Sequence, residues 1–330
     1  MHVVPSPAVT VILPVHDGER YLQEAIDSII HQDLPDWELV VIDNGSVDRT
    51  GEICRAAAEH DSRVTVLRLP APDLVAALNA GLAAARGAFV ARMDADDVSL
   101  PSRLRLQMSY LDRHPDVVAV GGAVDVVDEN GAPVGRVRMP QQDEAIRRAL
   151  LSGRTAMCHP TVVLRHDAIV RIGGYRVGSY PAEDLDLWMR LSREGLLANL
   201  PIPLLRYRRH GSAVSFTHAE EQARRTHQLV SAERRRHGLP PAPLASPPAK
   251  WASVTLYHLA CAKLALRCGN RAAARRHARE AMQGAPVAAL PYAVLIAATL
   301  PHAALKLGGV AWTAAHRGRT RASTSWKISA

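Results

Sequence analysis

Aromatic residues are scarce in this chain: they make up 4% of its 330 residues, and only two are phenylalanine. Its four cysteines, Cys54, Cys158, Cys261 and Cys268, show no metal-ligand spacing, and the closest two stand seven positions apart. That excludes a zinc ribbon and offers no disulfide framework, so a reducing compartment is expected. Internal repeats are absent, which removes the solenoid architectures. No secretory leader is visible, since Met1-His2-Val3-Val4-Pro5 leads directly into a strand-like run, and the expected location is cytoplasmic. Basic residues are not interleaved with aromatics, so nucleic acid is not an expected partner.

What the chain does have is apolar mass and unevenly placed charge. A 48% hydrophobic content over 330 residues fills the core of one large domain with an appendage. Residues 1–220 carry 23 Lys and Arg against 29 acids, whereas residues 221–330 carry 17 against 3. The first part also alternates in pattern. Val9-Thr10-Val11-Ile12-Leu13-Pro14-Val15, Glu38-Leu39-Val40-Val41-Ile42, Val64-Thr65-Val66-Leu67-Arg68-Leu69 and Ala88 to Met93 read as strands. Between them lie helical stretches, one with apolar Leu22, Ala25, Ile26, Ile29 and Ile30, another from Leu74 to Ala85. Strands alternating with helices predict a parallel sheet built from crossover units, with ligands outside the carboxyl ends of the strands.

Three polar clusters follow three of these strands: His16-Asp17, Asp43-Asn44 and Asp94-Ala95-Asp96-Asp97. They are therefore expected to converge on one crevice. Three carboxylates within four positions repel one another unless a cation neutralises them, and hard divalent ions often use one or two carboxylates plus substrate phosphates. A solvated acidic turn before a helix starting near Ser99-Leu100-Pro101 would also explain the third cluster taken alone.

The ordered set of segments resembles the family 2 glycosyltransferases of the nucleotide-diphospho-sugar transferase type, with the GT-A fold. The matching residues are Val11-Ile12-Leu13-Pro14-Val15, Glu24-Ala25-Ile26-Asp27-Ser28-Ile29, Val41-Ile42-Asp43-Asn44-Gly45-Ser46-Val47-Asp48, Ala77-Leu78-Asn79-Ala80-Gly81-Leu82, Ala85-Arg86-Gly87 and Arg92-Met93-Asp94-Ala95-Asp96-Asp97. They continue through His159-Pro160-Thr161, Gly173-Gly174-Tyr175, Ala182-Glu183-Asp184-Leu185-Asp186-Leu187-Trp188 and Leu205-Arg206-Tyr207-Arg208-Arg209-His210. The resemblance covers roughly residues 7–216. It implies an α/β chain: a Rossmann-like, mostly parallel sheet flanked by helices, with a C-terminal helical appendage. Residues 1–220 would form the catalytic domain, 1–120 its nucleotide-sugar half and 121–220 its acceptor half.

The same resemblance implies roles. Asp43 would accept a hydrogen bond from the donor base, with Pro14, Val15, His16 and Asp17 lining base and ribose. Asp94 would lie close to the ribose, and Asp96 would hold a divalent ion, Mn²⁺ or Mg²⁺, on the diphosphate of the nucleotide-sugar co-substrate. Arg92 has two readings: a fixed cation near the phosphates, or an ion-pair partner of Asp43 or Asp94. Asp97 reads as a support for the ligands or a helix cap. The acid pair Glu183-Asp184 opens a helix whose apolar positions include Leu185, Trp188 and Leu191, which makes Trp188 core rather than a sugar platform. Helix-dipole acids would account for the pair on its own. The resemblance puts Asp184 beneath the acceptor hydroxyl as general base, with Glu183 and His159 on the acceptor. Arg208 and His210 would reach the diphosphate, or else belong to a solvated strand edge.

Two departures from the family pattern stand out. His16-Asp17 replaces a common aromatic-Asn pair, and Asn44 replaces the second acid of Asp-Asp-Gly-Ser. Asn suits a turn because it caps and tolerates left-handed geometry. These changes bear on base selectivity more than on catalysis.

The expected activity is inverting, metal-dependent transfer from a UDP-sugar to a saccharide or lipid-linked saccharide hydroxyl, in cell-envelope polysaccharide or glycolipid synthesis. One alternative is a sugar-nucleotide-binding scaffold with a decayed site. Another is a nucleotidyltransferase, but Pro14 to Arg20 lacks the Gly-rich triphosphate loop with Lys or Arg that this chemistry needs.

Residues 221–249 read as a basic helix and a Pro-rich linker, Leu239 to Ala249, and residues 250–330 as a basic, Ala-rich helical region. Helices are expected at Ala252 to Arg267 and Arg271 to Met282. From Ala281 to Ala315 the only charged residue is Lys306, with Arg317, Arg319 and Arg321 following. Pro286, Pro291 and Pro301 interrupt that span, so an interfacial or re-entrant helix beside anionic headgroups is expected rather than a crossing, the other reading being a helical lid packed on the enzyme with a basic solvated face. The enzyme would then be peripheral on the inner face of the cell membrane.

Overall fold

The computed structural model describes residues 6–243, 252–286 and 288–299. In chain order the elements are β1 (Val9–Val15), α1 (Leu22–Ile30), β2 (Trp37–Asn44), α2 (Thr50–His60), β3 (Val64–Leu69), α3 (Leu74–Ala84), β4 (Phe89–Arg92), β5 (Val98–Ser99), α4 (Arg103–Arg113), β6 (Val117–Val127), β7 (Pro133–Val137) and α5 (Asp143–Leu151). They continue with a 3₁₀ turn (His159–Thr161), β8 (Val163–Arg165), α6 (His166–Arg171), α7 (Glu183–Leu191), β9 (Leu196–Arg208), α8 (Val214–Thr217), α9 (Ala219–Arg236), α10 (Ser253–Arg267), α11 (Arg271–Gly284) and α12 (Ala289–Thr299).

One mixed sheet runs in the order β3-β2-β1-β4-β8-β6-β9-β5, with β7 paired to β6. Every residue of β1 and β2 is buried, because helices cover both faces. On one face α1, α2 and α4 contribute Leu22, Ile26, Ile29, Cys54 and Leu104 to the core. On the other, α3, α5, α6 and α7 contribute Leu78, Ile146, Ile169 and Trp188. The expected parallel arrangement holds for β1 to β4, and its register decides where the site lies. Val15 pairs with Asp43, Asp43 with Arg68, and Ile12 with Arg92, so these chains leave the sheet at one edge. The second half is mixed: β6 runs parallel to β9 but antiparallel to β7 and β8, and β5 runs antiparallel to β9.

The basic segment after residue 220 is part of the body. Gln222 Nε2 in α9 donates to the Pro181 carbonyl at 2.9 Å, and Glu233 pairs with Arg193. Residues 244–249 of the expected linker lie outside the described residues, as do Lys306, Arg317, Arg319 and Arg321. The Ala-rich helical hairpin is α10 and α11, turned at Gly269 (φ 78°) and capped by Asn270, whose Oδ1 accepts from Ala273 N at 3.1 Å. Pro291, expected to break the following segment, instead stands in the first turn of α12, where a missing N–H costs no helical bond. The hairpin packs Leu256, Tyr257, Cys261 and Ala274 against Val124, Val134, Leu205 and Tyr207 of the sheet.

At the sheet edge opposite the site, Glu38 Oε1 accepts from Thr10 Oγ1 at 2.6 Å and from Arg86 N at 2.8 Å, while Oε2 accepts from Arg86 Nε at 2.7 Å. Burial works against ionisation of Glu38, but these bonds outweigh it and hold its carboxyl below the usual range. Glu38→Ala should cost about 1–3 kcal/mol in urea unfolding at neutral pH. Because the folded-state pKa is the lower one, the deficit relative to wild type should be full above the ordinary glutamate value and shrink as pH falls through the lowered one.

Candidate active site

The first two strand ends are stitched together by hydrogen bonds. Asp17 takes a left-handed φ of 48°, which turns its N–H to Ser46 Oγ at 3.1 Å and its Oδ1 to Val47 N at 2.9 Å. Gly18 N donates to Thr50 Oγ1 at 2.8 Å, and His16 Nδ1 lies 3.1 Å from the Asn44 carbonyl. Asn44 is not itself left-handed. It ends β2 in extended form, and its Oδ1 accepts from Asp73 N at 2.9 Å; the positive φ falls on Asp17 and on Gly45 (φ 75°). A Cβ on Gly45 would stand 2.9 Å from the backbone of Ala71, so the loop closes only around glycine. Asp43 is buried, with Oδ1 accepting from Ser46 N at 3.0 Å and Oδ2 3.7 Å from Arg68 Nε. Pro14 and Val15 are buried as well, and His16 and Asp17 are the exposed members of that segment.

Beyond β4, Asp94, Asp96 and Asp97 present carboxylate oxygens within 4.8 Å of one another, the one such acidic or His/Cys group among the described residues. Arg92, only 1% exposed, pairs with Asp94, which selects that reading over a pairing with Asp43. Asp94 Oδ2 and Asp97 Oδ2 are buried without a hydrogen-bond partner. Burial and repulsion from Asp96, against attraction by Arg92, push the Asp94 carboxyl up to about 6. Burial, with Asp96 and Asp94 adding to it, pushes Asp97 well above its usual range. Asp97 caps no helix: α4 begins only at Arg103, and Asp97 Oδ1 instead accepts from Arg208 N at 2.8 Å. Asp96 Oδ2 lies 2.7 Å from His210 Nε2. Two orphaned buried oxygens beside a half-exposed carboxylate and an imidazole fit one divalent cation.

The basic run at the end of β9 divides its labour. Arg208 Nε donates to the Asp96 carbonyl at 2.9 Å, and its Nη2 lies 2.5 Å from Glu24 Oε2 of α1. The Arg208 guanidinium thus fixes the acidic loop from behind, with the Tyr21 ring 4.5 Å beneath it.

The second acid pair opens α7. Glu183 and Asp184 are both buried, and Arg92 acts electrostatically on Glu183 as it does on Asp94. Burial and repulsion by Asp184 push Glu183 up to about 8, and its Oε2 has no hydrogen-bond partner. His159 is 1% exposed and held neutral by burial and by Arg92, with Nε2 2.8 Å from Tyr175 Oη and the ring edge-on to the buried Trp188. Tyr175 is clamped in turn: Asn79 donates to its carbonyl at 2.8 Å and accepts from its N–H at 2.9 Å. Sequence reasoning missed Tyr21, Arg103 and Glu129, and assigned no role to Glu24. Arg103 is fully buried and donates to the Arg92 carbonyl at 2.7 Å; nothing in its local pattern marks it apart from a surface helix arginine.

A sheet whose strand ends gather a nucleotide-type crevice, a carboxylate cluster and a second acid pair defines the class of GT-A glycosyltransferases. The Glycosyl transferase family 2 model matches residues 10–173. EpsE of Bacillus subtilis (strain 168) is 34% identical over 226 residues, which are 66% of this chain and 80% of that protein. The O-antigen biosynthesis glycosyltransferase WbnJ of Escherichia coli is 33% identical over 209 residues, 62% of this chain and 81% of that one. Among solved structures, a mannosyltransferase of Pyrobaculum calidifontis in complex with GDP-Man and Mn²⁺ aligns with a TM-score of 0.56 at 21% identity, covering 94% of this chain and 81% of that one. Staphylococcus aureus TarS in complex with UDP-GlcNAc aligns at 0.54 and 18%, covering 87% and 83%. The chain belongs to glycosyltransferase family 2 and has the GT-A fold.

The raised Glu183 value makes a stability prediction. A carboxyl whose folded pKa lies above its unfolded one is neutral in both states at low pH and destabilises the fold as pH rises between the two. Glu183→Gln, assayed with EDTA, should therefore melt several degrees above wild type at pH 8 to 9, with the difference vanishing towards pH 4.

Proposed function

We propose that the protein is an inverting, metal-dependent glycosyltransferase that moves a sugar from a UDP-sugar to a hydroxyl of a saccharide or lipid-linked saccharide. The observation that carries this reading is the placing of two acid groups about one buried cation: Asp94 pairs with Arg92, and Arg92 also acts on Glu183 beside Asp184. Asp43, His16 and Asp17 take the base and ribose, and Asp94 lies by the ribose. Asp96 and His210 would hold a divalent ion, which when bound would neutralise charge on the departing diphosphate. Arg208 holds the acidic loop beneath the diphosphate. Asp184 removes the proton of the acceptor hydroxyl as the oxygen attacks the anomeric carbon from the face opposite the leaving group, so the configuration inverts. Glu183 keeps its proton at neutral pH and can donate a hydrogen bond to the acceptor, with His159 and Tyr175 forming the floor behind it.

WbnJ is named for O-antigen biosynthesis, and cell-envelope polysaccharide or glycolipid assembly is the setting we assign to this chain. No helix among the described residues is long and apolar enough to cross a membrane. Attachment to an anionic surface is assigned to the C-terminal region. There Tyr292 and Ile296 of α12 are 40% and 57% exposed, and residues 281–330 hold no acid.

Donor binding and hydrolysis across UDP-, dTDP- and GDP-sugars, with Mn²⁺, Mg²⁺ or EDTA, test the reading. Metal-dependent turnover of a UDP-sugar is expected, and failure to bind any donor would sink it. Asp184→Asn should lower transfer about 10²–10⁴-fold while leaving donor affinity near wild type; unchanged turnover would remove Asp184 as the base. For the membrane, truncation after residue 299 combined with Tyr292→Ser and Ile296→Ser should abolish co-sedimentation with vesicles rich in phosphatidylglycerol. Equal sedimentation of the variant and the full chain would refute the attachment.

A further inference from the structure

Three consecutive residues at the end of β9 lie between the acidic cluster and the C-terminal helices. Arg208 and His210 turn towards Asp96. Arg209 is buried, and its side chain hydrogen-bonds Cys261 of α10. Gly211 then passes the start of α10 so closely that a Cβ there would stand 2.9 Å from Val254 Cγ2 and 3.2 Å from Val254 Cα.

The opposite side of His210 is tied to the same helix. Its ring is tilted against Tyr21, with centroids 5.7 Å apart. The Tyr21 hydroxyl donates to the Glu129 carbonyl at 3.1 Å, and the Glu129 N–H donates to the Tyr257 hydroxyl of α10 at 3.3 Å. One residue earlier, Asp128 Oδ2 accepts from Arg276 of α11 at 2.6 Å. The β6–β7 turn is thus fastened to the appendage on one side and to the neighbour of His210 on the other.

We propose that α10 is a positioning element for His210: the seating of the C-terminal helices against β9 sets how well His210 and Asp96 hold a divalent ion. The inference rests on reading Asp96 and His210 as the metal-binding pair. Metal ligands tolerate only a few tenths of an ångström of displacement, and loss of the groups that orient them lowers affinity about 10–100-fold. Gly211 and the α10 tyrosine are one residue and one loop away from the imidazole, close enough to move it by that amount.

The test is Mn²⁺ affinity of the full chain, read from free Mn²⁺ by electron paramagnetic resonance, alongside metal-free melting. Gly211→Ala should weaken Mn²⁺ binding about tenfold. Val254 is half-exposed, and Val254→Ala alone should bind normally, while the double variant Gly211→Ala/Val254→Ala should recover much of the affinity. Tyr257→Phe, which removes one hydroxyl and leaves the core filled, should weaken binding severalfold with metal-free melting near that of wild type. Normal Mn²⁺ binding by both Gly211→Ala and Tyr257→Phe overturns the proposal. Asp96→Ala separates the two levels. If it abolishes Mn²⁺ binding while the α10 contacts prove neutral, only the positioning role falls; if it leaves binding intact, the metal-pair reading falls and takes the positioning role with it.

Discussion

A single buried guanidinium makes the rest of the site possible. Arg92 is almost wholly enclosed, pairs with Asp94, and acts on Glu183 and Tyr175 from the same position. Two carboxylates about 4 Å apart at an effective dielectric of about 20 repel by about 4 kcal/mol. The acids crowded at two neighbouring strand and helix ends share one internal cation, and the raised Asp97 and Glu183 carboxyls relieve the rest of the repulsion. Burial disfavours the charge on Arg92, but the acids around it outweigh that cost and keep it protonated. Its backbone is pinned too, by Arg103 at the carbonyl and by Val162 at the N–H.

One cation does not neutralise the whole cluster. Asp94 and Asp97 keep buried oxygens without hydrogen-bond partners, and Glu183 holds its proton to about pH 8. Unpaired acceptors cost stability, so their persistence is what a divalent ion and a polar substrate would relieve.

The helical appendage changes meaning in this light. Its charge and alanine content set it apart from the catalytic part, yet Tyr257, Cys261 and Arg276 reach the elements that border the acidic cluster. The appendage is thereby joined physically to the wall of the acidic cluster through α10 and α11.

The first four strands and the acids that follow them are legible in the sequence, because each is a local pattern. Largely apolar runs lead into Asp17, Asp43 and Asp94, and the helix at Glu183 has its apolar spacing written into it. Trp188 was correctly read as core for the same reason. The differences lie in backbone conformation at two positions and in a partner at a third. Asn44 suits a turn by its chemistry, yet the positive φ belongs to Asp17 and Gly45; Pro291 suits a break, yet it stands in the first turn of α12. Asp97 was weighed as a helix cap although its carboxylate holds Arg208 of a strand 111 residues away. Sequence alone determined the first four strands, the helices between them and the acids at their ends, since backbone preference and apolar period act over a few neighbours; the mixed half, β5 to β9, took its form only from long-range pairing. Tertiary structure alone decided which acid faces Arg92, that His210 meets Asp96, and that Tyr257 reaches Glu129. Those pairings join residues far apart in the chain, and only the packing of the sheet and its helices sets the distances between them.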